Sequence, residues 1–131
     1  MKKNLTSRLK GEIAHLKVQI RSAEKKFIIS QPAIDARYDF IIDTGKRLFR
    51  TQVKYADSFD SSGSLKIRLK TRTGRNKVRA YKKTDCDLIL VYIPDKEYIL
   101  NFTPEIFNNK SQLVINLKRK KSELFWRKFI W

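Results

Sequence analysis

The sequence contains only one cysteine, Cys86, and one histidine, His15, among its 131 residues. A single cysteine excludes an internal disulfide and a zinc site of several thiolates, and a single histidine provides no imidazole cluster. No uncharged apolar run reaches the 18 or so residues that a membrane span needs, and the charged start does not resemble the apolar core of a signal peptide. With four glycines and three prolines, the composition is globular. We therefore expect a soluble, cytoplasmic chain with access to the nucleoid, no membrane partner, and metal binding only through oxygen atoms.

Acidic residues are also scarce. Thirteen Asp and Glu stand against 30 Lys and Arg, which gives a net charge of +17 and a pI near 10.2. The region between Asp60 and Asp85 contains nine basic residues and no acidic one. Such a surface repels itself unless a polyanion neutralises it, so nucleic acid is the first expected partner. Charge alone does not separate a binding protein from an enzyme that acts on DNA.

The segment from Leu5 to Phe27 has apolar residues at spacings of three and four and no proline, which predicts one long amphipathic helix. The apolar stripe consists of Leu5, Leu9, Ile13, Leu16, Ile20, Ala23 and Phe27. Glu12 lies at the margin of this stripe. Two alternatives follow from its position: Glu12 points inward to a site, or it is exposed and pairs with Arg8.

The segments 38–43 and 48–55 flank a Thr-Gly-Lys-Arg turn and predict a β-hairpin. Because side chains alternate between the two faces of a strand, Gln52 and Lys54 share one face. The hairpin can therefore bring Asp39 close to both of them.

The segment from Leu65 to Thr71 alternates apolar or neutral residues with basic ones, and a turn leads into the segment 77–81. This pattern predicts a protruding β-ribbon at about 65–81 with one strongly basic face. A two-stranded ribbon fits the major groove of DNA. The residues expected to contact DNA are Lys66, Arg68, Lys70, Arg72, Arg75, Lys77 and Arg79. The alternative is a solvated edge whose charges prevent aggregation.

The remaining segments complete one mixed sheet, with strands at 88–93, 97–102 and 113–117 and a short helix from 103 to 107. We expect a single domain, 1–131, with its core at about 5–117 and a basic, aromatic tail at 118–131. The four basic residues at 118–121 either contact phosphates or form a solvated end. The aromatic residues after them are expected in the core or in oligomer contacts.

The candidate catalytic site consists of Glu12, Asp39, Gln52 and Lys54. Phosphodiester hydrolysis needs divalent cations held by carboxylate and carbonyl oxygens, and a lysine that orients or deprotonates the nucleophile. The order of these residues resembles the PD-(D/E)-XK nuclease superfamily. That resemblance implies an α/β, restriction-endonuclease-like core with a central mixed β-sheet flanked by helices.

Within that superfamily the sequence looks most like the cyanobacterial-type, group I intron-encoded homing endonucleases, in which glutamine replaces the acid of the triplet. The resemblance covers roughly residues 10–105, and the segments that carry it are 37–43, 50–56 and 84–95. It implies a role for each site residue: Asp39 as the shared metal ligand, Glu12 as a second one, Val53 as a carbonyl ligand, Gln52 as a neutral substitute for the missing acid, and Lys54 as the catalytic lysine.

The resemblance also implies the reaction, which is site-specific hydrolysis of double-stranded DNA with Mg²⁺, with Ca²⁺ or Mn²⁺ substituting in binding or cleavage. One ribbon reads only a few base pairs, so a long target requires self-association as a dimer or tetramer. Two alternatives stay open: a structure-specific nuclease similar to Holliday-junction resolvases, and a non-catalytic basic nucleic-acid-binding module. Removing Lys54 would abolish cleavage by either nuclease and leave the module unchanged.

Other reactive residues are weaker candidates. Asp43 shares a strand face with Asp39 and is the reserve metal ligand, whereas Asp35 is expected to be a turn residue. His15 has no carboxylate at ligand spacing on its helix, which argues against an acid–base role. Cys86 lies between two aspartates, which raise the pKa of a thiol, so it is expected to be inert.

Overall fold

The computed structural model describes residues 4–131 and shows a mixed α/β fold, as the sequence predicts. The helices are α1 (Ser7–Glu24), α2 (Pro104–Phe107) and α3 (Lys120–Trp126), and a 3₁₀ turn covers Arg127–Phe129. The strands are β1 (Ile28–Ser30), β2 (Phe40–Asp43), β3 (Leu48–Tyr55), β4 (Ser58–Phe59), β5 (Ser64–Arg68), β6 (Lys70–Gly74), β7 (Lys77–Ala80), β8 (Leu88–Ile93), β9 (Tyr98–Phe102) and β10 (Gln112–Asn116).

The central sheet has the strand order β1-β2-β3-β8-β9. Strands β3 and β8 are parallel and the other neighbours are antiparallel, so the sheet is mixed. All six residues of β8 are buried, because this apolar run lies between two other strands and is covered on both faces. Among residues 4–131, no helix has both the length and the hydrophobicity of a membrane span.

Helix α1 covers one face of the central sheet, but not with the side chains that the sequence suggests. The buried residues of α1 are Ala14, Val18 and Ser22, while Leu9, Leu16 and Ile20 are 51%, 48% and 57% exposed. Since successive helical residues are about 100° apart, Leu16 lies on the side opposite Val18. Of the predicted stripe, Ile13 and Phe27 are half-buried against the core, but its middle residues Leu9, Leu16 and Ile20 face away from the sheet, so the stripe is wrong as the main core face. The row of small residues, which also follows a spacing of four, lets the helix lie close to the sheet.

The ends of α1 are fixed by local hydrogen bonds. The side-chain oxygen of Thr6 accepts from the Leu9 N–H at 3.2 Å, which caps the first turn. At the other end, Lys26 has a φ of 63°. The N–H groups of Lys26 and Phe27 donate to the carbonyls of Ala23 and Ser22, which ends the helix and sends the chain into β1.

The predicted ribbon is shorter than expected. Strand β5 pairs with β10 and β4 in a separate three-stranded sheet, and only β6 and β7 form the two-stranded ribbon. Cross-strand partners share a face, so Lys70 and Arg72 lie on one face while Arg79, opposite Thr71, lies on the other. The prediction of one strongly basic face is therefore wrong for this ribbon, whose register also shifts between Arg72 and Gly74.

The C-terminal segment packs on the central sheet. Trp126 is buried against Tyr98, with ring centroids 5.5 Å apart. Ile130 forms an isolated antiparallel bridge with Leu100, and the Trp131 N–H donates to the Ile99 carbonyl at 2.8 Å. These contacts extend the outer edge of β9. The expectation that part of the aromatic tail belongs to the core is confirmed.

Candidate active site

The candidate site lies where β2 and β3 begin to pair. Asp39 directly precedes β2, and its N–H donates to the Thr51 carbonyl of β3 at 2.9 Å. Val53 is buried with the residues that face α1, so alternation places Gln52 and Lys54 on the opposite face. The predicted proximity of Asp39 to the Gln-Val-Lys triplet follows from this hairpin register.

The carboxylate of Asp39 is the centre of this site. Its Oδ2 accepts hydrogen bonds from the Gln52 side-chain nitrogen and from the Val53 N–H, each at 2.9 Å. The same Gln52 nitrogen lies 3.3 Å from the Val53 carbonyl oxygen. The Asp39 side chain remains 25% exposed. A carboxylate and a carbonyl oxygen therefore lie together at the surface, fixed by one amide group.

His15 joins this site from α1, a contact that sequence reasoning missed. Its Nε2 lies 3.4 Å from Asp39 Oδ2, and its ring packs edge-on against Phe40 at 5.0 Å. The hydrogen bond to Asp39 raises the pKa of His15 against the opposing effect of burial, and the charge of Glu12 adds to the rise. The residue spacing within α1 could not predict this contact, because the carboxylate that binds His15 belongs to Asp39, just before β2.

Glu12 lies on the exposed surface of α1, one turn before His15. Within residues 4–131 its side chain makes no hydrogen bond or ion pair. Its influence on the site is electrostatic, through the pKa of His15. Of the predicted catalytic residues, the structure brings Asp39 and Gln52 into hydrogen-bonding contact. Lys54 feels the charge of Asp39 without a direct contact, and Glu12 stays at the margin.

Lys54 is a half-buried basic group near the site. Its Nζ donates to the Lys70 carbonyl at 3.4 Å and lies 5.0 Å from the centre of the Tyr81 ring. Burial lowers the pKa of Lys54, attraction to Asp39 opposes the fall, and repulsion from Arg68 adds to it. A lysine with a lowered pKa exchanges a proton with water more readily than an exposed one.

Two ion pairs fix the segment that precedes β8. The Arg50 side chain binds both oxygens of Asp87, at 3.1 and 3.2 Å, and Asp87 also accepts the Arg50 N–H at 2.8 Å. Arg79 binds both oxygens of Asp85 at 2.7 Å. Between them, burial raises the pKa of the Cys86 thiol to about 12, with both aspartates adding to the rise. Burial and the raised pKa are what the expectation of an inert cysteine requires.

The other candidate carboxylates lie elsewhere. Asp43 pairs with Leu48 at the far end of the hairpin, and its Oδ1 accepts the Gly45 N–H at 2.8 Å in the turn. Four residues of strand separate it from Asp39, roughly 13 Å at the usual rise. Asp35 is exposed in the loop before β2, as expected. Asp43 is therefore a turn residue rather than a reserve metal ligand.

The predicted DNA-contacting residues fall into different environments. Lys66 and Arg68 are exposed on β5, and Arg72, Arg75 and Lys77 are exposed on the ribbon. Lys70 is half-buried beside Lys54, and Arg79 is held by Asp85. The structure thus leaves five of these seven side chains open to a partner.

A metal at this site would draw on few acidic side chains of the chain itself. No group of three or more His, Cys, Asp or Glu residues within 4–131 is arranged to hold a metal ion. The oxygen donors at the centre are the Asp39 carboxylate and the Val53 carbonyl, with the Gln52 amide beside them. These are the hard ligands that Mg²⁺ prefers, although they carry little charge.

Comparison with known proteins identifies the fold and the family. A structure described as a bacterial homing endonuclease, I-Ssp6803I, has a TM-score of 0.74 and 21% identity, with 95% of each chain covered. A structure of MepB has a TM-score of 0.51 and 13% identity, covering 89% of this chain and 93% of the other. At these identities the likeness concerns the fold. No curated protein matches the sequence. The sequence model of the PD-(D/E)XK endonuclease family matches residues 5–128, and the chain belongs to that family.

Proposed function

We propose that this protein is a site-specific endonuclease that hydrolyses double-stranded DNA with Mg²⁺ and acts inside the cell, where it reaches the nucleoid. The observation that carries the proposal is the convergence of Asp39, Gln52 and Val53 within 3.3 Å of one another, with Lys54 on the same strand. Membership of a nuclease family supports the reaction class. The likeness to a homing endonuclease fold supports DNA as the substrate.

The donor set fits a hard divalent cation. Hydrogen bonds to Asp39 from residues 4–131 end on Oδ2, so Oδ1 is available, and the Val53 carbonyl is the nearest backbone oxygen. Glu12, on the adjacent helix, would be the second carboxylate. Because this set carries little charge, a phosphate oxygen of bound DNA would complete it. Mg²⁺ suits cleavage, and Ca²⁺ or Mn²⁺ would substitute in binding or cleavage.

Each residue has a distinct role in the proposed reaction. Gln52 and the Val53 N–H hold the Asp39 carboxylate in place. When bound, the cation supplies charge neutralisation at the phosphate and lowers the pKa of the attacking water. As an ammonium, Lys54 would orient that water with an N–H donor and offset the charge of the phosphate, and the proton of the water would pass to solvent. Water attacks phosphorus, the bond to the 3′ oxygen breaks, and the products carry 5′-phosphate and 3′-hydroxyl ends.

The exposed basic residues supply the DNA-binding surface. Lys66, Arg68, Arg72, Arg75 and Lys77 would contact phosphates and base edges, the last three from the β6–β7 ribbon. A ribbon of this length reads only a few base pairs. Recognition of a rare site therefore requires two or four copies on a pseudo-palindromic target.

The outer face of α1 supports self-association. Leu9, Leu16 and Ile20 are exposed on one side of this helix, away from the sheet, and Leu5, just before the helix, is exposed as well. An aliphatic surface offers nothing to phosphate, so a second copy of the chain is the occupant that the proposal requires. Leu16→Glu should lower the molecular mass measured by sedimentation, and unchanged mass would remove this face from the interface.

Cleavage of a plasmid library with randomised DNA sites tests the proposed function. The wild type should produce discrete cuts with Mg²⁺ but not with EDTA, and Asp39→Asn and Lys54→Ala should lose the cuts while binding DNA in Ca²⁺. Cuts confined to branched DNA would favour a structure-specific nuclease. Salt-sensitive binding by all three proteins without any cuts would identify a non-catalytic binding module.

A further inference from the structure

The Lys54 ammonium contacts two groups that belong to the base of the β6–β7 ribbon. One is the carbonyl of Lys70, the first residue of β6, at 3.4 Å. The other is the ring of Tyr81, the residue directly after β7, with Nζ 5.0 Å from the ring centre. Lys54 itself is part of the central sheet. The candidate catalytic lysine therefore extends from one sheet to the root of the candidate DNA-binding element.

Tyr81 is itself firmly held. It is only 3% exposed, its N–H donates to the Leu69 carbonyl at 3.1 Å, and its carbonyl accepts the Asn109 N–H at 2.9 Å. Burial raises the pKa of the phenol to about 12, and the Thr71 side chain on β6 only partly opposes this rise, so the ring stays neutral. Tyr81 is therefore a fixed residue at the base of the ribbon, where the residue after β7 pairs with the residue before β6.

A neutral aromatic ring can orient an ammonium that has lost its water. The face of a phenol ring carries partial negative charge and attracts a cation within about 6 Å. The ammonium has three N–H donors, and the 3.4 Å bond to Lys70 is long, so this bond alone fixes the group poorly. The Tyr81 ring confines Lys54 without using a donor. The remaining N–H groups stay available to a phosphate or a water.

We propose that Tyr81 is a positioning residue for the cleavage reaction, because its ring sets the place of the Lys54 ammonium relative to DNA that the ribbon has bound. This inference rests on the proposed endonuclease function. The base of the ribbon holds the Lys70 carbonyl and the Tyr81 ring, and these two groups fix the position of Lys54 relative to DNA on the ribbon. The ring, rather than the hydroxyl, carries the effect.

Two substitutions and a matched control test this inference. Tyr81→Phe keeps the ring, and Tyr81→Leu removes it. Phe102→Leu is the control, since Phe102 is buried in the same core cluster but lies on β9. Single-turnover cleavage with Mg²⁺ at saturating DNA, the dissociation constant for DNA in Ca²⁺, and the melting temperature are measured for each protein on one mapped site.

Tyr81→Leu should cut roughly tenfold more slowly, the loss expected for a cation–π contact of this kind. Its DNA affinity should stay within about twofold of the wild type. Tyr81→Phe should cut at nearly the wild-type rate, as should Phe102→Leu despite its lower melting temperature. If Tyr81→Phe loses as much cleavage rate as Tyr81→Leu, the effect belongs to the hydroxyl. If Phe102→Leu loses as much, the effect belongs to stability. Either result would overturn the inference. If the wild type and Tyr81→Leu cut at the same rate, the inference about Tyr81 is wrong and the proposed function stands. If the wild type does not cut DNA at all, the proposed function is wrong as well.

Discussion

Replacement of Arg79 by alanine should destabilise the fold and leave DNA binding nearly intact, although the sequence places Arg79 among the DNA-contacting residues. Its guanidinium makes two hydrogen bonds of 2.7 Å to Asp85, whose side chain is only 7% exposed. Hydrogen bonds to charged groups contribute about 1.5–3 kcal/mol each. Because Arg79 is 29% exposed and water can replace part of the contact, we expect a net loss of about 2 kcal/mol.

Thermal unfolding and salt-dependent DNA binding measure this prediction together. A loss of this size lowers the melting temperature of a domain of this length by roughly 6–10 °C. Arg75→Ala is the matched control, since Arg75 is exposed in the turn of the ribbon. Arg75→Ala should change the free energy of unfolding by less than about 0.5 kcal/mol and lower the slope of log affinity against log salt by about 0.9.

The opposite pattern would refute the reasoning. Suppose that Arg79→Ala has the melting temperature of the wild type and that its salt slope of DNA affinity falls as that of Arg75→Ala does. Arg79 would then leave Asp85 to bind DNA. Arg79→Lys adds a second comparison, because lysine keeps the charge but cannot bind both oxygens of Asp85. It should recover only part of the lost stability.

Three further predictions follow from the site and its supports. Gln52→Glu places a second carboxylate against Asp39, so it should lower the melting temperature without metal and enlarge the increase that Ca²⁺ produces; an unchanged metal response contradicts this. The hydrogen bond from Arg79 lowers the pKa of Asp85 below 3.8, so its contribution to stability is complete above that pH and is lost as the pH falls through the lowered pKa; urea unfolding should show a flatter acid limb for Asp85→Asn than for the wild type. Cys86 is fully buried, and thiol reagents should modify it only after unfolding, whereas rapid labelling of the native protein would contradict the burial.

The hairpin that carries the site could be predicted from the sequence. Alternation along β3 separates Val53 from Gln52 and Lys54, and the turn at Gly45, with a φ of 84°, fixes the register that brings Asp39 beside them. These are local features, so a single sequence contains enough information to place them.

The outward face of α1 could not be predicted, because both its aliphatic row and its small-residue row follow the same helical spacing. Only the sheet decides which row is covered, and Ala14 and Val18 are buried in one cluster with side chains of β3 and β8. His15 was missed for a related reason, since Asp39 reaches it from another element.

The split of the predicted ribbon also depends on distant residues. Strand β10 captures β5 as a partner, so the basic alternation from Lys66 to Arg72 is shared between two sheets. The register shift between Arg72 and Gly74 is a further feature that the alternating pattern does not contain.

Cleavage of a mapped DNA site by Lys54→Met tests the central claim most directly. Methionine keeps most of the side-chain volume and removes the charge, and Lys96→Met, in the exposed turn before β9, is the matched control. At equal DNA occupancy in Mg²⁺, Lys54→Met should cut on the order of 10²–10⁴-fold more slowly than the wild type, while Lys96→Met cuts normally. Cleavage by Lys54→Met at the wild-type rate would contradict the assignment of this site as the catalytic centre.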